Sequence, residues 1–336
     1  MEFEPFSLAL SEALSTANGE IDVRNGFLVT AERSGACGFG EATPLAGWTE
    51  PLEECRRVLE TIADGDASVT DIDPDETPAA RHGVELATVD ANARAEGVPL
   101  AEWLADSPVD SVPVNATIGD ADVEETVRAA TVANDAGFDT VKIKVGARSL
   151  VDDRHRVEAV ADALPSVDLR LDANGAWSRS IARTAIDQFA SLGVTLVEQP
   201  LEAGDLTGHA ALRGHGVEIT LDESVRSEGL DAIVRANAAD VVVLKPMVLG
   251  GVKRTRALAL EARDRGLDPV VTTTIDGVLA RTAALHLAAS LDVDRACGLA
   301  TADRLADDLA PDPAPVSEGR MTVPELPGLG VRPGRD

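Results

Sequence analysis

The chain has 336 residues, with 30 Lys or Arg against 58 Asp or Glu, for a formal charge of −28 at pH 7. A shell that acidic repels nucleic-acid phosphates and anionic lipid, which argues against nucleic-acid and membrane-surface partners. Since 44% of the residues are hydrophobic and apolar runs extend almost to the C-terminus, the acidity belongs to the surface of a folded protein and not to a disordered chain.

In chain order, Phe3–Leu10 and Gly26–Glu32 read as strands, and Ala36–Thr43 as a third strand punctuated by glycines. Pro51–Ile62 has helical spacing, with Thr49 as its N-cap. Residues 63–77 are rich in Asp, Gly and Pro and read as a loop, after which Pro78–Gly97 returns to helical periodicity. Strands grouped before helices predict an α+β domain over residues 1–110. From about Val112 the pattern becomes apolar strand, polar helix, apolar strand, repeated. The strand cores are Val112–Thr117, Thr140–Val145, Leu169–Leu171, Leu196–Glu198, Ile219–Leu221, Val241–Leu244, Pro269–Thr273 and Ala296–Leu299. Runs of Val, Ile and Leu buried on both faces predict a parallel barrel over residues 111–300. The rival is an open doubly wound sheet. Its main support would be the Gly-rich run from Gly35 through Gly38 to Gly40, which has the wrong spacing for a dinucleotide loop and opens no βαβ unit. A proline-rich tail, 301–336, is expected to fold back on the first domain.

Cys37, Cys55 and Cys297 are odd in number and widely spaced, which suggests neither a disulfide framework nor a zinc site and fits a reducing compartment. The N-terminus lacks the pattern of a signal peptide and no apolar stretch reaches membrane-span length, so the expected location is the cytoplasm. A homo-oligomer is left open. Only Lys142, Lys144, Lys245 and Lys253 are lysines; every other basic residue but histidine is arginine. An acidic, lysine-poor surface is of the kind found in salt-loving organisms, and a lysine retained in such a chain is expected to have a task.

Polar residues interrupt the barrel strands at regular intervals. Lys144, Asp172, Glu198, Asp222, Lys245 and Thr272 are separated by 28, 26, 24, 23 and 27 residues, one barrel unit each. Acids at strand ends also cap helices, but six polar groups in register predict one shared mouth at the C-terminal strand ends. Asp172, Glu198 and Asp222 would repel one another unless a cation held them, and oxygen ligands without His or Cys favour Mg²⁺ over zinc. Asn174 shares a face with Asp172 and reads either as a ligand-orienting group or as a turn residue before Gly175. Lys142 and Lys144 point to the same side of their strand, into the barrel, where desolvation and mutual repulsion are expected to lower their pKa toward that of a general base. Lys245 approaches from across the mouth. Lysines on either side of a cation-bound carboxylate suit removal of a proton α to a carboxylate in a small-molecule substrate.

The segments KIK, LDANG, VEQP, LDES and LKP, in this order and spacing, resemble the enolase superfamily and, within it, the muconate-cycloisomerase subgroup. The resemblance covers almost the whole chain and implies an α/β fold, a (β/α)₇β TIM-type barrel with an N-terminal α+β capping domain. The seventh strand ends in Thr272, Thr273 and Thr274 without a histidine, unlike the subgroup that uses a His–Asp pair. The segments ALSTANGEIDVRNGFLV and GFGEATPLAGWTEP resemble the capping segments of o-succinylbenzoate synthases, and GLAT at 298–301 resembles their last-strand motif. By that resemblance Lys144 is the base and then the acid, Lys245 stabilises the enolate, and Lys142 tunes Lys144. Asp172, Glu198 and Asp222 hold Mg²⁺, while Arg170, Asn174, Thr273, Thr274 and Gly298 line the pocket. The reaction implied is dehydration of 2-succinyl-6-hydroxy-2,4-cyclohexadiene-1-carboxylate to o-succinylbenzoate in menaquinone synthesis.

The alternatives are a dipeptide epimerase, an N-succinylamino acid racemase or a cycloisomerase on the same scaffold, and, from another class, a catalytically silent barrel used as a binding module. Asp292-Val293-Asp294 has the spacing with which epimerases hold a substrate ammonium, but it precedes the last strand and reads as loop acid. Ala300 stands where the synthases tend to have an acid, and Thr273–Gly277 departs from their serines and glutamate. His82, His155, His209, His215 and His286 fall away from the strand ends and read as structural; Trp48 reads as either a lid or a packing residue. The charge of −28 generates a first prediction: the melting temperature rises from dilute buffer to molar KCl, where the Debye length shrinks to roughly 3 Å. A flat melting temperature across that range would contradict the salt-adapted reading.

Overall fold

The computed structural model describes residues 1–16 and 19–334. Three N-terminal strands, β1 (Glu2–Thr16), β2 (Gly19–Arg33) and β3 (Ala36–Ala42), form an antiparallel sheet in that order. Alternation on β2 turns Phe27, Val29 and Ala31 inward, where they meet Cys55, Leu59 and Ile62 of α1 (Leu52–Ala63) and Ala80, Val84 and Ala87 of α2 (Pro78–Glu96). The other side of α2 sends Leu86, Val89 and Ala93 into the barrel core, so this helix belongs to both domains. Gly38 and Gly40 explain the Gly-rich run: a Cβ on either would overlap the backbone of α2 at Ala87 and Ala91 or at Gly83. The glycines let sheet and helix touch.

Both hairpin strands run further than the apolar pattern predicts. Their outer ends pair with one another, Ser15 opposite Glu20 and Leu14 opposite Ile21, beyond a register shift after Ala9. Thr49 is not the cap of α1. Its hydroxyl accepts from Leu45 N at 2.8 Å, and the helix starts after Pro51 without a side-chain cap. The loop 63–77 holds a short 3₁₀ turn at Val69–Asp71. A short α3 (Leu100–Leu104) leads to the barrel.

The predicted first barrel strand, Val112–Thr117, is divided. β4 (Ser111–Pro113) pairs antiparallel with a C-terminal strand, and only β5 (Ala116–Ile118) joins the parallel sheet. Pro113 has no N–H for a ladder, which suits a strand end. The barrel continues through α4 (Val123–Asp135), β6 (Thr140–Lys144), α5 (Leu150–Ala163), β7 (Asp168–Asp172), α6 (Arg179–Ala190), β8 (Val194–Glu198), α7 (Leu206–Leu212) and β9 (Glu218–Leu221). It ends with α8 (Glu223–Ala236, interrupted at Gly229), β10 (Val241–Leu244), α9 (Pro246–Leu249), α10 (Val252–Asp264), β11 (Asp268–Val271) and α11 (Val278–Ser290). β5 to β11 lie side by side in chain order, and residues 297 and 298 close the ring: Gly298 N donates to Val271 O at 3.0 Å, and Asn115 N to Cys297 O at 3.0 Å. Asp122, Ser149, Ser178 and Asp205 cap α4 to α7 with side-chain oxygens.

The tail adds β12 (Val316–Ser317) and β13 (Arg320–Thr322), the latter paired with β4. It also reaches the first domain, with Ala306 N on Ala9 O at 2.8 Å and Leu329 N on Asp90 Oδ1 at 2.7 Å. No helix among the described residues is long and apolar enough to cross a membrane.

Glu41 of β3 fastens the two domains together. Helix α11 has no side-chain cap of its own. Glu41, fully buried, supplies one from the other domain, accepting from Gly277 N at 2.7 Å, Ala280 N at 3.1 Å and Thr43 Oγ1 at 2.6 Å. Burial, followed by the nearby Asp276, pushes the Glu41 carboxyl up to about 7. An acid whose folded pKa is raised holds its proton better in the folded state, so its contribution to stability falls as pH rises from about 4.5 to about 7. Buried His82, pushed down by desolvation, acts in the opposite sense, so the effect is read as a difference. The stability of the wild type minus that of Glu41→Gln should shrink across this window, by up to about 3 kcal/mol. A pH-independent difference in urea unfolding would contradict the buried-acid account.

Candidate active site

The strand register places the charged residues in a row. Lys144 is opposite Asp172, which is opposite Glu198, across β6, β7 and β8; Asp222 and Lys245 follow β9 and β10. Inward alternation brings all of these side chains to the C-terminal end of the barrel. Lys144 Nζ donates to Asp172 Oδ2 at 2.6 Å and Asn174 Oδ1 at 2.8 Å. Lys142 Nζ donates to Glu198 Oε2 at 2.9 Å and lies 3.3 Å from Asp172 Oδ2. Across the mouth, Lys245 Nζ donates to Asp222 Oδ2 at 2.6 Å. Three carboxylates are thus matched by three ammonium groups. Removing one partner of a buried pair typically costs about 3–5 kcal/mol, because the other charge is left uncompensated.

The environment splits the three acids. Burial alone would raise Asp172, but Lys142 and Lys144 outweigh it and hold the carboxyl well below the ordinary range. Burial and the charge of Asp172 push Glu198 up to about 7. Burial also raises Asp222, with Lys245 opposing. The expectation that Lys142 is pushed down is reversed: desolvation does lower it, but Glu198 and Asp172 prevail and hold its ammonium above the usual lysine range. Two acids within 3.3 Å outweigh the like-charged neighbour on which the expectation rested.

Two residues absent from the sequence reading support this row. Glu223, next to Asp222, accepts from Asn174 Nδ2 at 3.0 Å through Oε1, while its buried Oε2 has no partner. Gln199, fully buried at a φ of +41°, accepts from Asp222 N at 3.0 Å and Ser224 N at 3.2 Å and donates to Ser224 Oγ at 2.8 Å. It fixes the backbone that carries Asp222. The available signal was a second polar residue directly after each strand-end acid, in VEQP and LDES.

The other predicted residues have partners of their own. Arg170 and Gly298 line a cavity of about 20 Å³ inside the barrel, alongside Lys142, Glu198, Thr220 and Thr272. Arg170 donates to Asp168 Oδ2 at 3.0 Å and Ala296 O at 2.9 Å, at the strand-start end. Thr272, expected at the mouth, uses its hydroxyl to close the barrel seam, donating to Gly298 O at 2.8 Å. Thr273 pairs with Thr301 at 3.2 Å, and Thr274 donates its hydroxyl to Asp276. Asn174, at a φ of +43°, is both a turn residue and a partner of the site. Trp48 is more than packing: its ring centroid lies 3.5 Å from Lys245 Nζ, a cation–π contact over the mouth.

The donor set fits a hard divalent cation. It is all oxygen, burial and the charge of Asp172 push Glu198 up, an effect a cation would relieve, and Glu223 adds an orphaned buried oxygen beside it. As they stand, no three His, Cys, Asp or Glu side chains among the described residues are gathered tightly enough to hold a metal ion; the acids are turned to the ammonium groups.

The sequence model of the enolase C-terminal domain-like family matches residues 124–336. The chain is 41% identical over 193 residues to an o-succinylbenzoate synthase of Thermobifida fusca, covering 56% of this chain and 60% of that one. It is 36% identical over 211 residues to the o-succinylbenzoate synthase of Mycobacterium leprae, covering 59% and 61%. The match therefore spans about three fifths of the length of these curated relatives. Among solved structures, a dipeptide epimerase from Enterococcus faecalis, in complex with Mg and L-Leu-L-Tyr, superposes with a TM-score of 0.89 at 26% identity, covering 98% of both chains.

The geometry predicts that millimolar Mg²⁺ raises the melting temperature, since a ligand that binds only the folded state stabilises it by about 2.7 kcal/mol at a hundred times its Kd. Asp222→Asn should lose most of that shift. A melting temperature indifferent to Mg²⁺ and to chelator would contradict the cation site.

Proposed function

The chain belongs to the enolase C-terminal domain-like family, and on that premise we propose that it removes the proton α to a carboxylate in a small molecule and expels hydroxide, dehydrating 2-succinyl-6-hydroxy-2,4-cyclohexadiene-1-carboxylate to o-succinylbenzoate. The observation that carries this reading is the opposition of Lys144 and Lys245 across the three carboxylates, with Lys144 the most open. Its side chain is 36% exposed, against 15% for Lys142 and 11% for Lys245. A base must reach substrate, and of the three Lys144 has the most access.

Asp172, Glu198 and Asp222 are the residues that would hold Mg²⁺, which when bound supplies positive charge against a developing ene-diolate. Lys144, as the free amine, takes the α-proton at Nζ; as the ammonium it returns a proton to the departing hydroxyl, so that water leaves and the ring becomes aromatic. Lys245 stays cationic beside the forming enolate, and Trp48 shields that ammonium from solvent. Lys142, held charged by Glu198 and Asp172, keeps the electrostatic balance of the row and exchanges no proton. Asn174 is the hinge of the arrangement, accepting from Lys144 and donating to Glu223.

Support for the dehydration comes from the two synthase relatives, at 41% and 36% identity. Epimerisation of a dipeptide is the second reading, favoured by the match to the E. faecalis enzyme over 98% of both chains. It requires an acidic pair to hold the substrate ammonium. Here the positions at the end of the last strand are Gly298 and Ala300, and Asp292 to Asp294 lie in the segment that follows α11.

Lys144→Ala should lower kcat by at least 10²-fold while leaving product binding intact, since general-base catalysis contributes typically 10²–10⁴-fold. Lys144→Arg should be nearly as inactive, because guanidinium keeps the charge but does not give up its proton. Lys142→Ala should retain more activity than either. Full turnover by both Lys144 variants would exclude this strand as the source of the base.

A further inference from the structure

One guanidinium ties the two domains together beside the site. Arg24 of β2 is 3% exposed, and it binds three backbone carbonyls: Nε donates to Ile275 O at 3.2 Å, Nη1 to Pro44 O at 3.1 Å and Nη2 to Thr43 O at 2.9 Å. Nη2 also lies 3.8 Å from Asp276 Oδ1. Thr43 and Pro44 open the capping-domain loop that carries Trp48, whose ring covers Lys245. Ile275 lies in the barrel loop that follows β11. Neither the catalytic row nor the cap of α11 accounts for this residue.

The barrel loop is held in a conformation it would not choose. Ile275 has a φ of +60°, the left-handed region that a β-branched side chain enters only when its surroundings hold it there. Two braces do so. From within the loop, Asp276 accepts from Thr274 N at 3.2 Å and from the Thr274 hydroxyl. From the other domain, Arg24 holds the Ile275 carbonyl. The capping loop has its own barrel tie further along, where Arg226 of α8 donates to Trp48 O at 3.3 Å. Trp48 is thus fixed from both sides, by Arg226 at its own carbonyl and by Arg24 at the start of its loop.

We propose that Arg24 is a positioning residue that locks the capping loop 43–48 and the barrel loop 273–277 into a single preformed wall of the substrate site. The two loops then open and close as one unit, although no direct peptide link joins them. A wall shaped in advance spares the substrate the cost of ordering it, so the loss of Arg24 is felt in binding before chemistry. The consequence for substrate binding rests on the proposed dehydration; the coupling of the loops does not.

Hydrogen exchange on the full chain, in the presence of Mg²⁺ and molar KCl, reads the coupling without any substrate. In Arg24→Met, amide protection should fall at least tenfold in 43–48 and in 272–278 together. Loss in only one segment, or in neither, would overturn the proposal. Arg24→Lys keeps the charge beside Asp276 but cannot span three carbonyls, so it should resemble Met; wild-type protection in the Lys variant would show that charge alone suffices and would also overturn the tie.

In turnover assays, Arg24→Met should raise KM at least tenfold with kcat changed less than threefold. A fall in kcat at unchanged KM would reject the positioning role. Because Asn tolerates positive φ where Ile does not, Ile275→Asn added to Arg24→Met should bring KM back at least threefold by making the loop's conformation its own; absence of rescue counts against the strained-loop account. A wild type that exchanges as expected but dehydrates nothing would refute the proposed function and leave the tie standing.

Discussion

Three acids and three lysines share the interior end of one barrel, and neither set is stable there without the other. An unpaired carboxylate in that position costs several kcal/mol, and so does an unpaired ammonium. Strand register answers this by setting Lys144, Asp172 and Glu198 opposite one another and returning Lys245 to Asp222 from the far side. The charge balance is what allows a protein of net charge −28 to carry a buried acidic triad at all. It also accounts for three of the four lysines in the chain, the fourth, Lys253, lying on α10.

Holding that row in register falls partly to residues that never touch it. Gln199 pins the backbone on either side of Asp222. From the capping domain, Glu41 completes the start of α11 and Arg24 the loop before it. Helix α2 supplies the apolar half of the same junction, with one face in each core. The site therefore depends on two domains being docked in one arrangement, and the docking uses buried charge as much as apolar area. Such contacts are intolerant of small shifts, which suits a site whose chemistry needs fixed distances.

The barrel was legible because Val, Ile and Leu recur in every strand and the polar interruptions fall one unit apart. Asp172, Glu198, Asp222, Lys144 and Lys245 come together as that spacing predicts. Thr272 shares a cavity with Lys142 and Glu198, and its hydroxyl also serves the seam of the ring. Lys142 was legible as an interior lysine and misread in its electrostatics, since periodicity reports which face a residue takes but not which charges it meets there. Val112–Thr117 reads as a single apolar run, yet Pro113 and the C-terminal strand divide it. Gln199 and Glu223 are marked in the sequence only as polar residues that follow a strand-end acid, whereas Arg24 binds carbonyls that folding brings to it, and nothing in its local sequence marks them as partners.

A barrel of this kind with two opposed lysines can direct the same proton abstraction to more than one outcome. What differs is the fate of the enolate: loss of hydroxide gives an aromatic ring, whereas return of a proton on either face gives an epimer. Lys144 and Lys245 on opposite sides permit either, so the choice rests on which molecule the pocket accepts. The direct measurement is to offer the purified chain, in Mg²⁺ and molar KCl, the hydroxycyclohexadiene carboxylate and, separately, an L,L-dipeptide in D₂O. Dehydration predicts the rise of aromatic ultraviolet absorbance with the first and no α-deuteration of the second that competes with it. Rapid α-deuteration of the dipeptide with no aromatic product from the carboxylate would contradict it.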